Sequence, residues 1–106
     1  MGRYVYVVMT NPVEGRDAEY NAWYDEIHLK DVCSAPGFVG ARRFRLADGD
    51  SAHRYLALYE METDDPKRDL EALTALAGTD RMRMSDALDL TRYSTALFEQ
   101  ISEYEK

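Results

Sequence analysis

The sequence has little of several features on which whole classes of protein depend. Its single cysteine, Cys33, cannot form a disulfide within the chain, which favours a reducing compartment and makes the cytoplasm the expected location. No apolar run approaches the roughly 18 residues needed to cross a bilayer, and the N-terminal stretch lacks the cleavage site of a signal peptide. The formal net charge is −7, and the only basic cluster is Arg42, Arg43 and Arg45. We therefore expect no membrane and no nucleic acid as a partner.

Residues and motifs that usually carry cofactor or covalent chemistry are equally sparse. The only two histidines, His28 and His53, lack the spacing of a metal site. Cys33 has no second cysteine with which to form a redox motif. The chain also lacks a phosphate-binding loop, a GxGxxG fingerprint and a serine nucleophile elbow. We therefore expect no metal and no cofactor.

The pattern of apolar residues divides the chain into six elements of one domain, residues 1–106. Asp48 and Gly49 mark a hairpin turn, Asp65 and Pro66 have the residue types of a helix start, and Gly78 suits a helix end. The predicted elements are strands 3–10, 38–46, 53–60 and 91–101, a helix over 16–33, a second helix from Pro66 to about Gly78, and a short extra turn at 80–88.

The order of these elements is β-α-β-β-α-β, which predicts a ferredoxin-like α+β fold. In this fold two helices cover one face of an antiparallel four-stranded sheet. The first strand is apolar at both parities, which is typical of a strand that is buried on both faces. Since the helices cover only one face, we expect a second copy of the sheet to cover the other, giving a homodimer.

The first helix carries an ionisable pair beside its apolar stripe. At about 100° per residue, Asp31 falls near the centre of that stripe and His28 on its flank. Their spacing suits a carboxylate that orients or charge-stabilises an imidazole for general acid or base catalysis, so both are candidate catalytic residues. The alternative is a partly solvated pair at a fraying helix end. The stripe itself consists of Tyr20, Trp23, Tyr24 and Ile27.

Tyrosine is unusually frequent, with eight in the chain. A buried tyrosine must find a partner for its hydroxyl, a demand that leucine or valine would not make. The sequence therefore suggests a cavity for a small apolar or aromatic ligand, although tyrosine is also common on strands and at dimer interfaces. An arginine of the second strand is a candidate for binding a ligand oxygen, or else for an ion pair. The candidate substrate-binding residues are Tyr6, Tyr24, Tyr55, Tyr93, Met82 and Arg43.

Several short segments between residues 11 and 45 resemble the EthD-like branch of the dimeric α+β barrel superfamily. They are Asn11-Pro12, Gly15, Trp23 to Leu29, Pro36-Gly37-Phe38 and Ala41 to Phe44. The resemblance implies a ferredoxin-like protomer, a sheet-to-sheet homodimer, and a cavity between helices and sheet that receives the side chain of His28. It also adds Asn11 to the candidate substrate-binding residues.

The superfamily includes cofactor-free lyases, isomerases, cyclases and monooxygenases that act on aromatic or polyketide substrates, and also haem-binding members. Three functions therefore remain open at this point. The first is a cofactor-free lyase, isomerase or cyclase with His28 as general acid or base on a small aromatic or polyketide-like substrate. The second is a haem-binding or cofactor-free monooxygenase. The third is a dimeric module that binds a small molecule without catalysis, which a cavity filled by the protein's own side chains would favour.

Overall fold

The computed structural model describes all 106 residues, Met1–Lys106. The predicted ferredoxin-like fold is confirmed, with a four-stranded antiparallel sheet in the order β2-β3-β1-β4. None of the helices is long and apolar enough to cross a membrane. The elements are β1 (Gly2–Thr10), α1 (Asp17–Trp23), a π-helical turn (Tyr24–His28), α2 (Leu29–Cys33), β2 (Phe38–Arg45), β3 (Tyr55–Thr63), α3 (Pro66–Leu76) and β4 (Ser94–Glu99).

The core lies between the helices and one face of the sheet. Every second residue of β3 is buried on this face, as the period-2 geometry of a strand requires. Aromatic side chains from α1 and the π turn fill the space above β3. The buried β3 residues are Ala57, Tyr59, Met61 and Thr63, and the buried helical aromatics are Tyr20, Trp23 and Tyr24.

The ends of α3 follow the predicted signals. The Asp65 carboxylate accepts a hydrogen bond from the Arg68 backbone amide at 3.1 Å, and Pro66 occupies the first helical position. Gly78 follows the end of the helix with φ +83°, a conformation that glycine adopts without steric cost. The cap and the glycine together fix where α3 begins and ends.

The opposite face of the sheet has no layer over it. Its apolar side chains come from all four strands, and Phe44 and Phe98 are 49% and 56% exposed. The first strand is half-buried on this side, so its expected burial on both faces is not reached within one protomer.

Two predicted segments differ from the structure. The last strand begins at Ser94, three residues later than expected, because residues 91–93 form a turn and a bend that Asp89 stabilises by binding the Thr91 amide and hydroxyl. The segment 79–88 contains turns at 80–81 and 86–87, within the predicted extra turn, but is otherwise irregular. It crosses the helical layer as an irregular strap, linked by single bridges at Met82 and Leu88.

Candidate functional site

A π-helical turn places His28. The Leu29 amide donates to the carbonyl of Tyr24, five residues back, where an α-helix would bond four residues back. This wider turn carries His28 from the flank of the helix towards the buried stripe, and the residue is 9% exposed. The side chain therefore faces the interior, in the direction that the family resemblance implied. Such π turns are frequent at functional sites.

The imidazole of His28 lies among aromatic rings. It stacks on Trp23, with ring centres 4.4 Å apart, and meets Tyr24 edge to face at 5.1 Å. Its buried Nδ1 atom has no hydrogen-bond partner. Burial disfavours the imidazolium and lowers the pKa of His28 to about 4, although the nearby Asp31 charge opposes this shift. His28 is therefore neutral at neutral pH.

Asp31 does not hydrogen-bond to His28, so the expectation that it orients the imidazole is not met, whereas its charge does favour the imidazolium. Asp31 binds Arg83 instead: its Oδ2 accepts from the Arg83 backbone amide at 3.0 Å and from Nε at 3.2 Å, and its Oδ1 accepts from Nη2 at 2.9 Å. A buried carboxylate requires such compensation, and a guanidinium meets it better than a neutral imidazole. These hydrogen bonds lower the pKa of Asp31. Asp31 acts on His28 through its charge and does not orient the ring.

Arg43 forms the second centre of the site. Its side chain is only 13% exposed, and its guanidinium carbon lies 4.4 Å from the centre of the Tyr24 ring. Nη1 donates to Asp25 Oδ1 and Nη2 to Asn21 Oδ1, each at 2.8 Å. The predicted alternative of an ion pair is thus present, but a guanidinium has five N–H donors and these two bonds leave others free. The Tyr20 and Tyr55 rings complete the aromatic surface under Arg43, at 5.5 and 5.4 Å.

A cleft of about 500 Å³ opens beside Arg43, between the first helix and the edge of the sheet. Tyr55, a predicted ligand-binding residue, also lines it, and its hydroxyl accepts from Asn21 Nδ2 at 3.3 Å. None of the four best-defined clefts of the molecule includes His28. The cavity expected to receive His28 is therefore not among these clefts. The cleft between helix and sheet lies at Arg43, and Tyr24, which packs against both groups, separates it from the imidazole.

The buried tyrosine hydroxyls differ in whether they have a hydrogen-bond partner. Tyr20 shares a hydrogen bond with Thr10 at 2.5 Å, whereas the Tyr59 hydroxyl has none. Burial disfavours the phenolate, so the pKa of Tyr24 is raised to about 12 and that of Tyr59 is raised further. These tyrosines are neutral hydrogen-bonding groups at neutral pH. Tyr59 Oη and His28 Nδ1 are the two buried side-chain atoms without a partner.

Four other predicted ligand-binding residues lie elsewhere. Asn11 holds the β2–β3 loop, since its amide donates to the Ala52 carbonyl at 3.0 Å and accepts from the Arg54 amide at 2.8 Å. Tyr93 precedes β4, is 58% exposed and lines none of the four clefts described above. Tyr6 packs at the edge of the core, 6.4 Å from the Tyr59 ring, and Met82 is buried in the strap.

Sequence reasoning missed three residues that shape the site. Asn21 and Asp25 are four residues apart and thus lie on one helical face, and this spacing in the sequence indicates that both could bind the same group. Arg83 lies 52 residues from Asp31 in an irregular segment, and nothing in the local pattern connects the two.

Comparisons with known proteins identify the fold. No family model matches the chain, and no curated protein matches it in sequence. Among solved structures, the haem-degrading protein MhuD from Mycobacterium tuberculosis is 21% identical, with 96% of this chain and 99% of that chain covered and a TM-score of 0.68. SnoaB from Streptomyces nogalater, a cofactor-independent oxygenase, is 17% identical, with 99% and 97% covered and a TM-score of 0.59.

An EthD family protein from Bacillus halodurans is 13% identical, with 95% and 100% covered and a TM-score of 0.62. The chain has the fold of a dimeric α+β barrel protomer. At these identities the similarity concerns the fold, and it extends over the whole length of the chain. An EthD family protein is thus among the structures that share the architecture implied by the sequence resemblance.

Proposed function

We propose that this protein is a cofactor-independent enzyme that binds a small aromatic enol or phenol beside Arg43 and uses His28 for proton transfer. The observation that carries the proposal is the position of Arg43. It is a nearly buried cation on a surface of tyrosine rings, open to a cleft. Planar aromatic molecules pack well on such a surface, and a guanidinium stabilises an oxygen that becomes negative.

Arg43 would act on the developing anion. In the low dielectric beside Tyr24 and Tyr55, its charge interacts with a substrate oxygen more strongly than it would in water. Removal of one such electrostatic contact typically costs about 10²–10³-fold in rate. Asp25 and Asn21 hold the guanidinium in place, so that little reorganisation is needed when the charge forms.

His28 would accept or return the proton. It is neutral because it is buried, and its Nδ1 has no competing partner. Its pKa of about 4 makes it a weak base, and the Asp31 carboxylate is the charge that favours its protonated form. General acid or base catalysis of this kind contributes about 10²–10⁴-fold. Proton removal alone leads to the lyase, isomerase or cyclase reactions expected from the sequence. Reaction of the same anion with O₂ leads to a monooxygenase reaction, and oxygen uptake distinguishes the two.

The second candidate is a binding module without catalysis, and one observation favours it. The rings of Trp23 and Tyr24 pack directly against His28, and Met82 is also buried in this region. A ligand held at Arg43 would then remain separated from the imidazole by Tyr24. In this case the ligand binds, but no proton is transferred.

The histidines do not fit a haem group. An axial ligand needs an imidazole nitrogen that faces a flat, open cavity. The ring of His28 is instead covered by Trp23, and none of the four clefts described above reaches it. His53 lies at an edge cleft of about 340 Å³ in the β2–β3 loop, beside charged residues. We therefore base no step on haem.

The proposed enzyme is a homodimer. The open face of the sheet presents apolar side chains in neighbouring strands, among them Val7 and Leu58, which are partners in the β1–β3 register. A monomer seldom exposes an apolar surface of this kind, and a second sheet of the same chain is complementary to it.

The first experiment measures binding with 4-nitrophenol, whose absorbance reports its ionisation. We expect the wild-type protein to bind the phenolate and to lower the pH at which the bound probe ionises. Arg43→Gln should lose both effects, and Arg43→Lys should keep part of them. Arg42→Gln is the matched control, because Arg42 is adjacent but lies on the other face of β2, paired with Glu60. Equal binding by all variants would exclude the Arg43 site.

The second experiment measures proton transfer without knowledge of the natural reaction. The protein is incubated with 2-tetralone in deuterated water, and loss of the acidic C–H signal is followed by NMR. An enzyme should accelerate this exchange, and His28→Gln should abolish the acceleration while leaving 4-nitrophenol binding intact. Binding without accelerated exchange in the wild type would instead support the binding module.

A further inference from the structure

The strap formed by residues 79–88 is fixed to the helix on both sides of His28. Arg83 makes the main attachment, since its amide and its guanidinium bind Asp31 while its carbonyl accepts from Trp23 Nε1 at 2.9 Å. Asp31 is three residues beyond His28, and Trp23 stacks on the His28 ring. One residue of the strap thus joins the two groups that flank the imidazole.

The other attachments lie at the far end of the strap. The Ala87 carbonyl accepts from the Val13 amide at 2.7 Å, and Arg16 binds the Asp86 carbonyl at 3.1 Å and its carboxylate at 2.7 Å. These contacts hold residues 86–88 against the segment that follows β1. They leave Arg83 as the strap's polar attachment to the helix near His28.

The strap has the properties of an element that opens locally. It has no regular secondary structure, and its attachment to Asp31 depends on a side chain that is 56% exposed. Segments without regular secondary structure and with solvent-exposed hydrogen bonds open at a lower free energy than strands of the core. Met82 and Ala87, which are 5% and 0% exposed, are the buried apolar side chains of the strap that resist this opening.

We propose that residues 79–88 form a gate over His28, and that the Asp31–Arg83 ion pair is the latch that keeps it closed. The inference rests on the proposed function in one respect, because it explains how a substrate reaches an imidazole that none of the four clefts described above meets. Opening of the latch releases Trp23 Nε1, and with it the indole that covers one face of the imidazole. A small aromatic molecule is the class of ligand that this space would accept, since rings already line it.

Two variants of the strap test the latch. Arg83→Gln removes the charged half of the latch, and Arg81→Gln is the matched control, two residues away and exposed. Trp23 is the only tryptophan, so quenching of its fluorescence by acrylamide reports access to the ring on His28. We expect the quenching constant to increase at least twofold in Arg83→Gln and to remain at the wild-type value in Arg81→Gln.

Chemical modification gives a second readout, because the chain has only two histidines. In the wild type, diethyl pyrocarbonate should modify His53 and spare His28, as mass spectrometry of peptides would show. In Arg83→Gln, His28 should become reactive while circular dichroism shows the same folded content. If the ion pair has only a structural role, Arg83→Gln will have a lower melting temperature while His28 stays protected in the folded protein. That result would overturn the proposal.

The wild-type protein tests the proposal even if Arg83→Gln fails to fold. In native-state hydrogen exchange, the amide of Arg83 should exchange at a lower free energy of opening than the amides of β1 and β3. Equal free energies would mean that the strap opens only when the whole protein unfolds, and no gate exists. None of these three experiments contains a substrate, so failure of the gate and failure of the proposed enzyme activity are distinguishable.

Discussion

The imidazole of His28 stacks on the indole of Trp23 with the two planes inclined by 23°. This contact, together with the depth of the ring, has a consequence for stability. Because burial lowers the pKa of His28 to about 4, the unfolded chain binds a proton at this residue more readily than the folded protein does.

The first prediction is a loss of stability in mild acid. Between the ordinary histidine pKa of about 6.5 and the folded value of about 4, the unfolded state carries more protons, so stability falls as the pH falls. The loss approaches roughly 3 kcal/mol at pH 4, since each pKa unit corresponds to about 1.4 kcal/mol. Chemical denaturation measured across this pH range checks it.

The matched variant is His28→Gln, in which the side chain at position 28 no longer titrates in this window. Its unfolding free energy should be flat between the two pKa values, while that of His53→Gln should follow the wild type. The lowered pKa of Asp31 also stabilises the folded state, but this stabilisation is lost only at more acidic pH, and both variants retain Asp31. A slope that persists in His28→Gln would show that another residue controls the acid sensitivity.

The second prediction concerns the hydrogen bond between Thr10 and Tyr20, which joins the end of β1 to α1. Tyr20→Phe leaves the Thr10 hydroxyl buried without a partner, which should cost about 1–3 kcal/mol of unfolding free energy. Adding Thr10→Val removes the unsatisfied group and should recover part of this loss. A double-mutant cycle measures the coupling, and strictly additive effects would show that the hydroxyls do not interact.

Most of the fold was predictable because the decisive signals are local. The Asp65–Pro66 helix start, the turn at Gly49 and the helix end at Gly78 each depend on neighbouring residues, and each is found in the structure. These signals also fix the order of the elements, which leaves few possible topologies. Only the ends of the elements shifted, by one to three residues at most positions.

The site was less predictable because it depends on contacts between distant segments. A wheel based on the ideal α-helix placed His28 on the flank, since the sequence does not reveal the π turn at Tyr24–His28. Asp31 was paired with His28, three residues back on the same helix, whereas its partner Arg83 comes from a remote strap. Arg43 and Tyr55 were among the candidate ligand-binding residues, but the sequence does not reveal which parity of a strand faces the helices, so Tyr55 could not be distinguished from Tyr6 and Tyr93.

The third prediction explains the Pro36-Gly37-Phe38 segment. Gly37 has φ +89°, and a Cβ atom there would collide with the carboxylate of the buried Asp69. Gly37→Ala should therefore be strongly destabilising. Gly49→Ala is the control, because Gly49 has φ +94° and open space around it, so that only the backbone cost of about 1–2 kcal/mol applies. Equal losses in thermal denaturation would mean that Asp69 moves aside freely.

The fourth prediction tests the proposed homodimer at the centre of the open face. Leu58 and its register partner Val7 lie on the two inner strands of the sheet, directed away from the helices. Leu58→Glu would bring a carboxylate from each copy into an apolar interface without a partner, a cost of several kcal/mol. We expect the variant to be a folded monomer by sedimentation velocity at concentrations at which the wild type is a dimer. Thr74 is exposed on α3, away from the open face, so the control variant Thr74→Glu should remain dimeric. A monomeric wild type, or a dimeric Leu58→Glu protein, would place the interface elsewhere or exclude it.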